Sequence, residues 1–138
     1  MTTSATDRLR DIYRRYATDG DTQELFAMLA EDVRWISSPE SPLGEFAGIY
    51  TGPEEVRRYF ERLRREWTLE AFNVLDFIAD GEKVAVRTQA CVRHNESGES
   101  VEATKADFIT LRDGCIAEFQ EIIDNGPVAR WMRHSGRG

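Results

Sequence analysis

The sequence has few of the residues that build metal centres, disulfide frameworks or covalent nucleophiles. Its 138 residues include two cysteines and two histidines. Cys91 and Cys115 are far apart with no histidine beside them, and His94 and His134 are also far apart. Neither pair has the short spacing of metal ligands. We therefore expect no metal site and no cysteine–histidine nucleophile.

Long apolar runs and nucleotide-binding loops are also missing. No stretch approaches the roughly 18–20 apolar residues of a membrane-spanning helix. There is no glycine-rich phosphate loop and no Gly-x-Ser-x-Gly motif. The first residues have neither the basic start nor the apolar core of a secretory signal. The sequence thus predicts a cytoplasmic protein with no membrane partner and no bound nucleotide or other cofactor.

Positive charge is scarce, and lysine is the scarcer cation. The net charge is −7 and the pI is near 4.9, which argues against nucleic acid as a partner. Of the 18 cations only Lys83 and Lys105 are lysines. The arginines of residues 57–65 are interleaved with Glu54, Glu55, Glu61 and Glu66, a pattern typical of a solvated helix face.

The first half of the chain has helical periodicity. Apolar residues from Leu9 to Tyr16 predict a helix, with Ser4 or Thr6 as its N-cap and Gly20 just beyond its end. A short second helix is predicted around residues 25–29. The segment 51–55 begins a third, whose apolar stripe comprises Val56, Tyr59, Phe60, Leu63 and Trp67.

The second half of the chain has the two-residue period of strands. Four strands are predicted over residues 69–78, 84–93, 101–112 and 116–123, after a short strand at 33–36. Because the turns between the four are short, neighbours should be antiparallel. The sequence therefore predicts a single α+β domain over 1–138, in which helices cover one face of a curved sheet. Residues 37–44 are predicted as a loop, and residues 127–132 as a further helical turn.

Three segments together resemble a known family. They are LFAMLAEDVRWISSP (25–39), GIYTGPEEVRRYF (48–60) and ATKADFITLRDGCIAEFQEIIDN (103–125). Their order and spacing are similar to the SnoaL-like branch of the superfamily of nuclear transport factor 2 and ketosteroid isomerase, over about residues 9–131. The resemblance implies a cone-shaped α+β fold around an apolar pocket, usually in a homodimer. Members include isomerases, dehydratases, epoxide hydrolases, polyketide cyclases and non-catalytic binding or assembly proteins, so the fold does not fix the chemistry.

Two catalytic patterns of the superfamily are missing from this sequence. Isomerase-like members have a general-base aspartate immediately before a proline, where this chain has Ser38 before Pro39. Members similar to limonene epoxide hydrolase have an arginine and an aspartate at positions matching Thr88 and Ala90, and a further aspartate matching Asp124. Only Asp124 is present, so neither mechanism carries over.

The resemblance and strand alternation nevertheless indicate a candidate site. If Thr88 and Ala90 face the pocket, Ile109 on the next strand does so as well, together with Lys105 and Asp107. An ammonium near a buried carboxylate offsets the cost of its charge, so the pair would act as a base or hold an enolate oxygen. The alternative is a structural salt bridge at the rim.

Other residues complete the predicted site. Asp124 is expected at the pocket floor as a second acid/base group, the alternative being a helix cap. The aromatic side chains of Trp35 and Tyr59 are expected to line the pocket, although they could equally belong to the core. With Thr88, Ala90 and Ile109 they make up the predicted substrate-binding set.

Two classes of function fit these features. The first is a cofactor-free acid/base isomerase, cyclase, lyase or epoxide hydrolase acting on a small apolar carbonyl- or epoxide-bearing molecule. Asp107 and Asp124 would transfer protons and Lys105 would stabilise charge. The second is a non-catalytic ligand-binding or assembly domain. In either case we expect a homodimer through the outer sheet face, which carries Arg87, Gln89, Cys91, Thr104, Ala106, Phe108 and Thr110.

Overall fold

The computed structural model describes residues 4–37 and 48–124, which form three helices and six strands. In chain order these are α1 (Ala5–Asp19), α2 (Gln23–Met28), β1 (Leu29–Ser37), β2 (Gly48–Thr51), α3 (Gly52–Glu66), β3 (Trp67–Asp80), β4 (Lys83–His94), β5 (Ser100–Arg112) and β6 (Cys115–Ile123). The predicted α+β class is confirmed. Most of the predicted loop at 37–44 and the helical turn at 127–132 lie outside the described residues.

The ends of α1 follow its local sequence. The Ser4 hydroxyl accepts a hydrogen bond from the Asp7 backbone N–H at 3.1 Å, which satisfies one free donor of the first turn. Gly20 ends the helix in the left-handed conformation at φ 73°, and its N–H donates to the Tyr16 carbonyl. Of the two predicted N-caps, Ser4 is the one used.

The apolar stripe of α3 ends earlier than predicted. Val56 and Tyr59 are buried on it, but Trp67 is the first residue of β3, with extended backbone. Its register partner is His94 at the end of β4. Sheet pairing therefore overrides the helical spacing that placed Trp67 on the helix.

The six strands form one mixed sheet in the order β2-β1-β6-β5-β4-β3. The last four strands make the predicted antiparallel meander. β1 pairs with β6 in parallel and with β2 in antiparallel fashion. The sequence did not predict β2 or the parallel pair, because neither is joined to its partner by a recognisable hairpin.

The hydrophobic core lies between the helices and one face of the sheet. Its fully buried members include Leu9 of α1, Val33 of β1, Val56 of α3 and Ile116 of β6. Along β4 and β5 burial alternates as strand geometry requires, so that Asp107 is buried while its neighbour Phe108 is 48% exposed. An ionisable side chain therefore stands in the centre of an apolar layer.

A bulge in β6 determines what faces Asp107. Leu111 pairs with Ile116, but Thr110 pairs with Glu118, so one residue of β6 is left over between them. Beyond this point Asp107 pairs with Glu121. The bulge turns the Glu121 side chain towards the core.

Within residues 4–37 and 48–124, no helix has the length and apolar character to cross a membrane.

Candidate active site

A cavity of about 430 Å³ lies between α1, α3 and the inner face of the sheet. Much of its wall is apolar, with Phe60, Leu63, Phe72, Val92 and Ala103 among the lining residues. A smaller cavity of about 110 Å³ shares part of this wall and extends to Asp107. The larger volume is in the range of small-molecule sites.

Three ionisable side chains meet where the two cavities share a wall. Lys105 Nζ lies 3.2 Å from Asp107 Oδ1 and 2.8 Å from Glu121 Oε2. Lys105 and Glu121 line both cavities, and Asp107 lines the smaller one. Each side chain projects inward from β5 or β6, and the register opposes Asp107 to Glu121. We call these three residues the carboxylate–lysine cluster.

Aromatic donors hold the two carboxylates in place. Tyr13 on α1 donates its hydroxyl to Asp107 Oδ2 at 2.5 Å. The Trp35 indole N–H and the Tyr59 hydroxyl both donate to Glu121 Oε1, at 2.5 Å and 2.9 Å. Trp35 is itself fixed by stacking on Phe119. Both oxygens of Glu121 are thus engaged, which makes it a fixed partner for the lysine.

The pKa values of the three side chains in the cluster are shifted in different directions from their ordinary values. Burial raises the pKa of Asp107 to about 6, and the nearby Lys105 ammonium only partly opposes this effect. Burial alone would also raise the pKa of Glu121, but Lys105 and the hydrogen bonds from Trp35 and Tyr59 hold it below its usual range. The two carboxylates keep the pKa of Lys105 above its ordinary value despite burial. At neutral pH the lysine is a stable cation, and Asp107 has a pKa near that of an efficient general base.

One Asp107 oxygen and one nearby hydroxyl remain available. In the described part of the chain, Asp107 Oδ1 has its ion-pair contact with Lys105 but no aligned hydrogen-bond donor. Tyr16 lines both cavities, and none of the described residues forms a hydrogen bond with its hydroxyl. Both groups could therefore interact with a bound molecule.

The structure brings together some, but not all, of the predicted site residues. Lys105 and Asp107 are in contact, Tyr59 lines both cavities, Trp35 lines the smaller one and Ala90 the larger. The side chains of Thr88 and Ile109 are buried in the protein interior and line neither cavity.

Asp124 lies outside the carboxylate–lysine cluster. It follows Ile123, which lines the larger cavity, and strand alternation turns the next side chain away. Asp124 is exposed, and its backbone N–H donates to the Thr104 carbonyl at 2.8 Å. The predicted position at the pocket floor is therefore occupied by Glu121 instead.

Glu121 is a site residue that the sequence did not predict. Counting pairs back from the turn at Asp113 without a bulge would place Gln120 opposite Asp107. The extra residue of β6 shifts the register by one. A usable signal was Phe119, an apolar residue between Glu118 and Gln120, because alternation from an inward Phe119 also turns residue 121 inward.

No metal site accompanies the cluster in the described ranges. Among those residues, no three histidine, cysteine, aspartate or glutamate side chains are grouped to hold a metal ion.

The family of the chain follows from a match to the SnoaL-like domain over residues 9–119. This match spans most of the chain, which therefore belongs to the SnoaL-like domain family. No curated protein sequence matches it at a significant level.

Solved structures are similar over nearly the whole chain. An NTF2-like protein from Burkholderia thailandensis E264 has a TM-score of 0.81 at 22% identity, covering 95% of this chain and 98% of its own. A protein from Rhodopseudomonas palustris, provisionally named an isomerase, has a TM-score of 0.77 at 15% identity, with coverage of 99% and 100%. One from Pseudomonas putida KT2440, provisionally named a polyketide cyclase, has a TM-score of 0.73 at 17% identity, with coverage of 94% and 98%. At these identities the likeness is one of fold.

Proposed function

We propose that this protein is an enzyme whose own side chains perform acid/base chemistry on a small, mainly apolar molecule with a carbonyl group. The observation that carries the proposal is the carboxylate–lysine cluster, in which Lys105 and Glu121 line a cavity of about 430 Å³ and Asp107 lines the adjoining smaller one. Ionisable side chains in a cleft with perturbed pKa values are enriched at catalytic sites.

We propose a different task for Lys105 and for Asp107. Lys105 has three N–H donors and donates one of them to Glu121, while its contact with Asp107 is an ion pair without an aligned hydrogen bond, so it retains donors for a ligand oxygen in the cavity. Donated to a carbonyl oxygen, this hydrogen bond would stabilise the negative charge that develops there. Because its pKa is raised, Lys105 acts as a cation and not as a nucleophilic amine.

Asp107 is the proposed base. Its Oδ1 would take a proton from the carbon next to the carbonyl, and the electron pair of the broken C–H bond would form an enolate held by Lys105. Return of the proton to another carbon completes an isomerisation. Attack of the enolate carbon on a second carbonyl of the same molecule, with the proton passing to the new alkoxide, completes a cyclisation. The names of the Rhodopseudomonas and Pseudomonas proteins suggest these two reaction classes.

Hydrogen exchange tests the proposed chemistry without knowledge of the natural substrate. In D₂O, the wild-type protein is expected to accelerate deuterium incorporation next to the carbonyl of a bound ketone by about 100-fold over buffer. Mass spectrometry of a panel of small cyclic and aromatic ketones measures it. Ala103→Trp, which fills the larger cavity, should abolish the acceleration. A ketone that binds in the cavity but exchanges at the buffer rate would contradict an enolate-forming site.

The alternative is a domain that binds or assembles without catalysis. An assembly role would require no open interior, so the larger cavity favours a ligand. A binding-only role gives no reason for placing Asp107 on a cavity wall with a pKa near 6. The cytoplasmic location predicted from the sequence stays a prediction.

A homodimer through the outer sheet face is also proposed. Phe108 and Ile122 are 48% and 45% exposed on the adjacent strands β5 and β6. An apolar pair in the middle of a broad sheet face is typical of an interface. We expect sedimentation equilibrium at micromolar concentration to give twice the 15.8 kDa of the chain, and Phe108→Arg to give 15.8 kDa. A wild-type mass of 15.8 kDa would exclude the dimer, and a dimer that survives Phe108→Arg would exclude this face.

A further inference from the structure

Arg64 of α3 is exposed, as the arginine–glutamate run predicted, and it also lies on the wall of the larger cavity. Its Nη2 donates to the hydroxyl of Thr22 at 2.9 Å, and Thr22 is buried. The guanidinium is therefore anchored to the cavity wall through a neutral partner. A single bond to Thr22 leaves most of its five donors for other groups.

Arg64 carries a positive charge that the described residues do not neutralise. Several exposed arginines are paired with carboxylates, such as Arg34 with Glu118 and Arg87 with Asp76. Within residues 4–37 and 48–124, no carboxylate lies at ion-pair distance from Arg64. An anchored cation on an apolar cavity wall is suited to bind an anion from outside the chain.

The charges along the cavity are arranged with opposite signs. Asp107 and Glu121, when ionised, outnumber Lys105 in the carboxylate–lysine cluster, so the cluster carries a net negative charge. The pKa of the Tyr16 phenol is raised overall by burial, while the positive charges of Lys105 and Arg64 each act to lower it. Its hydroxyl is thus within electrostatic reach of Arg64 and is available as a donor.

We infer that Arg64, with the Tyr16 hydroxyl, forms a subsite for an anionic group, so that the natural ligand is an acid: an apolar molecule carrying a carboxylate or similarly ionised oxygen acid. Like-charge repulsion keeps this group away from Asp107 and Glu121. The anion at Arg64 then orients the apolar body of the ligand. That the carbonyl of the same ligand lies at Lys105 rests on the proposed function. The anionic subsite itself does not depend on it.

A matched pair of fluorescent probes tests the subsite. Anilinonaphthalene sulfonate is an apolar anion, and phenylnaphthylamine is the same skeleton without the sulfonate. We expect Arg64→Gln to weaken binding of the anionic probe about tenfold, as for loss of a charge-assisted hydrogen bond, and to leave the neutral probe within about twofold. Added salt should weaken binding of the anionic probe to the wild type more than to Arg64→Gln.

The controls separate this subsite from general charge effects. Arg65→Gln makes the same change in net charge at the next position of α3, which is exposed like Arg64 but does not line the larger cavity, and should leave both probes within about twofold. Arg64→Lys should retain part of the affinity for the anionic probe. Ala103→Trp should weaken both probes if they occupy the cavity.

Three results would overturn the inference. The first is that Arg64→Gln and Arg65→Gln weaken binding of the anionic probe equally. The second is that Arg64→Gln weakens binding of both probes equally. The third is that Ala103→Trp binds the anionic probe as tightly as the wild type does. Neither probe has a carbonyl group, so failure here is distinct from failure of the proposed reaction in the exchange experiment.

Discussion

Replacing Lys105 by methionine is expected to lower the free energy of unfolding by about 3–5 kcal/mol at pH 8, because it leaves two buried carboxylates without their shared cation. Nζ lies 3.2 Å from Asp107 and 2.8 Å from Glu121, and both acids are buried. Methionine preserves most of the side-chain volume, so the effect reports charge and not packing. Urea denaturation measures it.

The Lys105→Met effect has a defined pH dependence. Without the ammonium the pKa values of both carboxyls rise in the folded state. A folded-state pKa above the unfolded value means that the native protein binds more protons, so stability falls as pH rises from the unfolded pKa to the folded one. The loss should be largest at pH 8 and shrink towards pH 5 and below.

The chain supplies a matched control in its other lysine. Lys83 is exposed and donates to the Thr110 hydroxyl at 2.8 Å. Lys83→Met removes the same charge and should cost less than about 1 kcal/mol. Adding Asp107→Asn and Glu121→Gln to Lys105→Met should restore much of the loss. Equal effects of Lys105→Met and Lys83→Met would contradict the electrostatic role of the cluster.

Replacing Asp107 by asparagine is expected to lower turnover about 10²–10⁴-fold, the usual contribution of a general acid or base. Asparagine keeps the shape and still allows a hydrogen bond with Tyr13, but it cannot take a proton. Asp124→Asn is the matched control, since it makes the same change at the exposed aspartate and should stay within about threefold. Initial rates with any ketone accepted in the exchange experiment measure both. Equal losses, or none in Asp107→Asn, would remove Asp107 from the mechanism.

The same substitution should make the protein more stable at pH 8. Because burial raises the pKa of Asp107 to about 6, its ionisation costs folding free energy that appears as pH rises above about 4 and is complete above about 6. Asparagine never ionises, so Asp107→Asn should gain about 1–3 kcal/mol at pH 8, and the gain should vanish near pH 4. Lower activity together with higher stability distinguishes a functional carboxylate from a structural one.

Local sequence signals accounted for most of the fold and for two of the three residues of the carboxylate–lysine cluster. The cap at Ser4, the glycine at position 20 and the change of period near residue 67 follow from short-range chemistry, and all are found in the structure. Lys105 and Asp107 are two residues apart on one strand, so their shared face could be predicted from alternation alone.

The remaining features depend on register and on long-range packing. Glu121 reaches the cluster only because a bulge shifts β6 by one residue, and Trp35 and Tyr13 reach the two acids from elements far away in the chain. The arginine–glutamate run predicted a solvated helix face, and Arg64 is exposed accordingly, but nothing in that pattern singles it out as the arginine that also lines the larger cavity. Parallel pairing of β1 with β6 has no hairpin signal.

Titration of the Asp107 side-chain carboxyl in the folded protein tests the central claim most directly. Its carboxyl carbon, followed by carbon-13 NMR, should titrate with a midpoint near pH 6, while the pKa of the Glu121 carboxyl should lie below its usual range. These values would identify Asp107 as a carboxylate poised to exchange protons near neutral pH, beside a glutamate that only holds Lys105 in place. An Asp107 midpoint below about pH 4, the value of an ordinary aspartate, would make the pair with Lys105 a structural salt bridge and would contradict the proposed acid/base site.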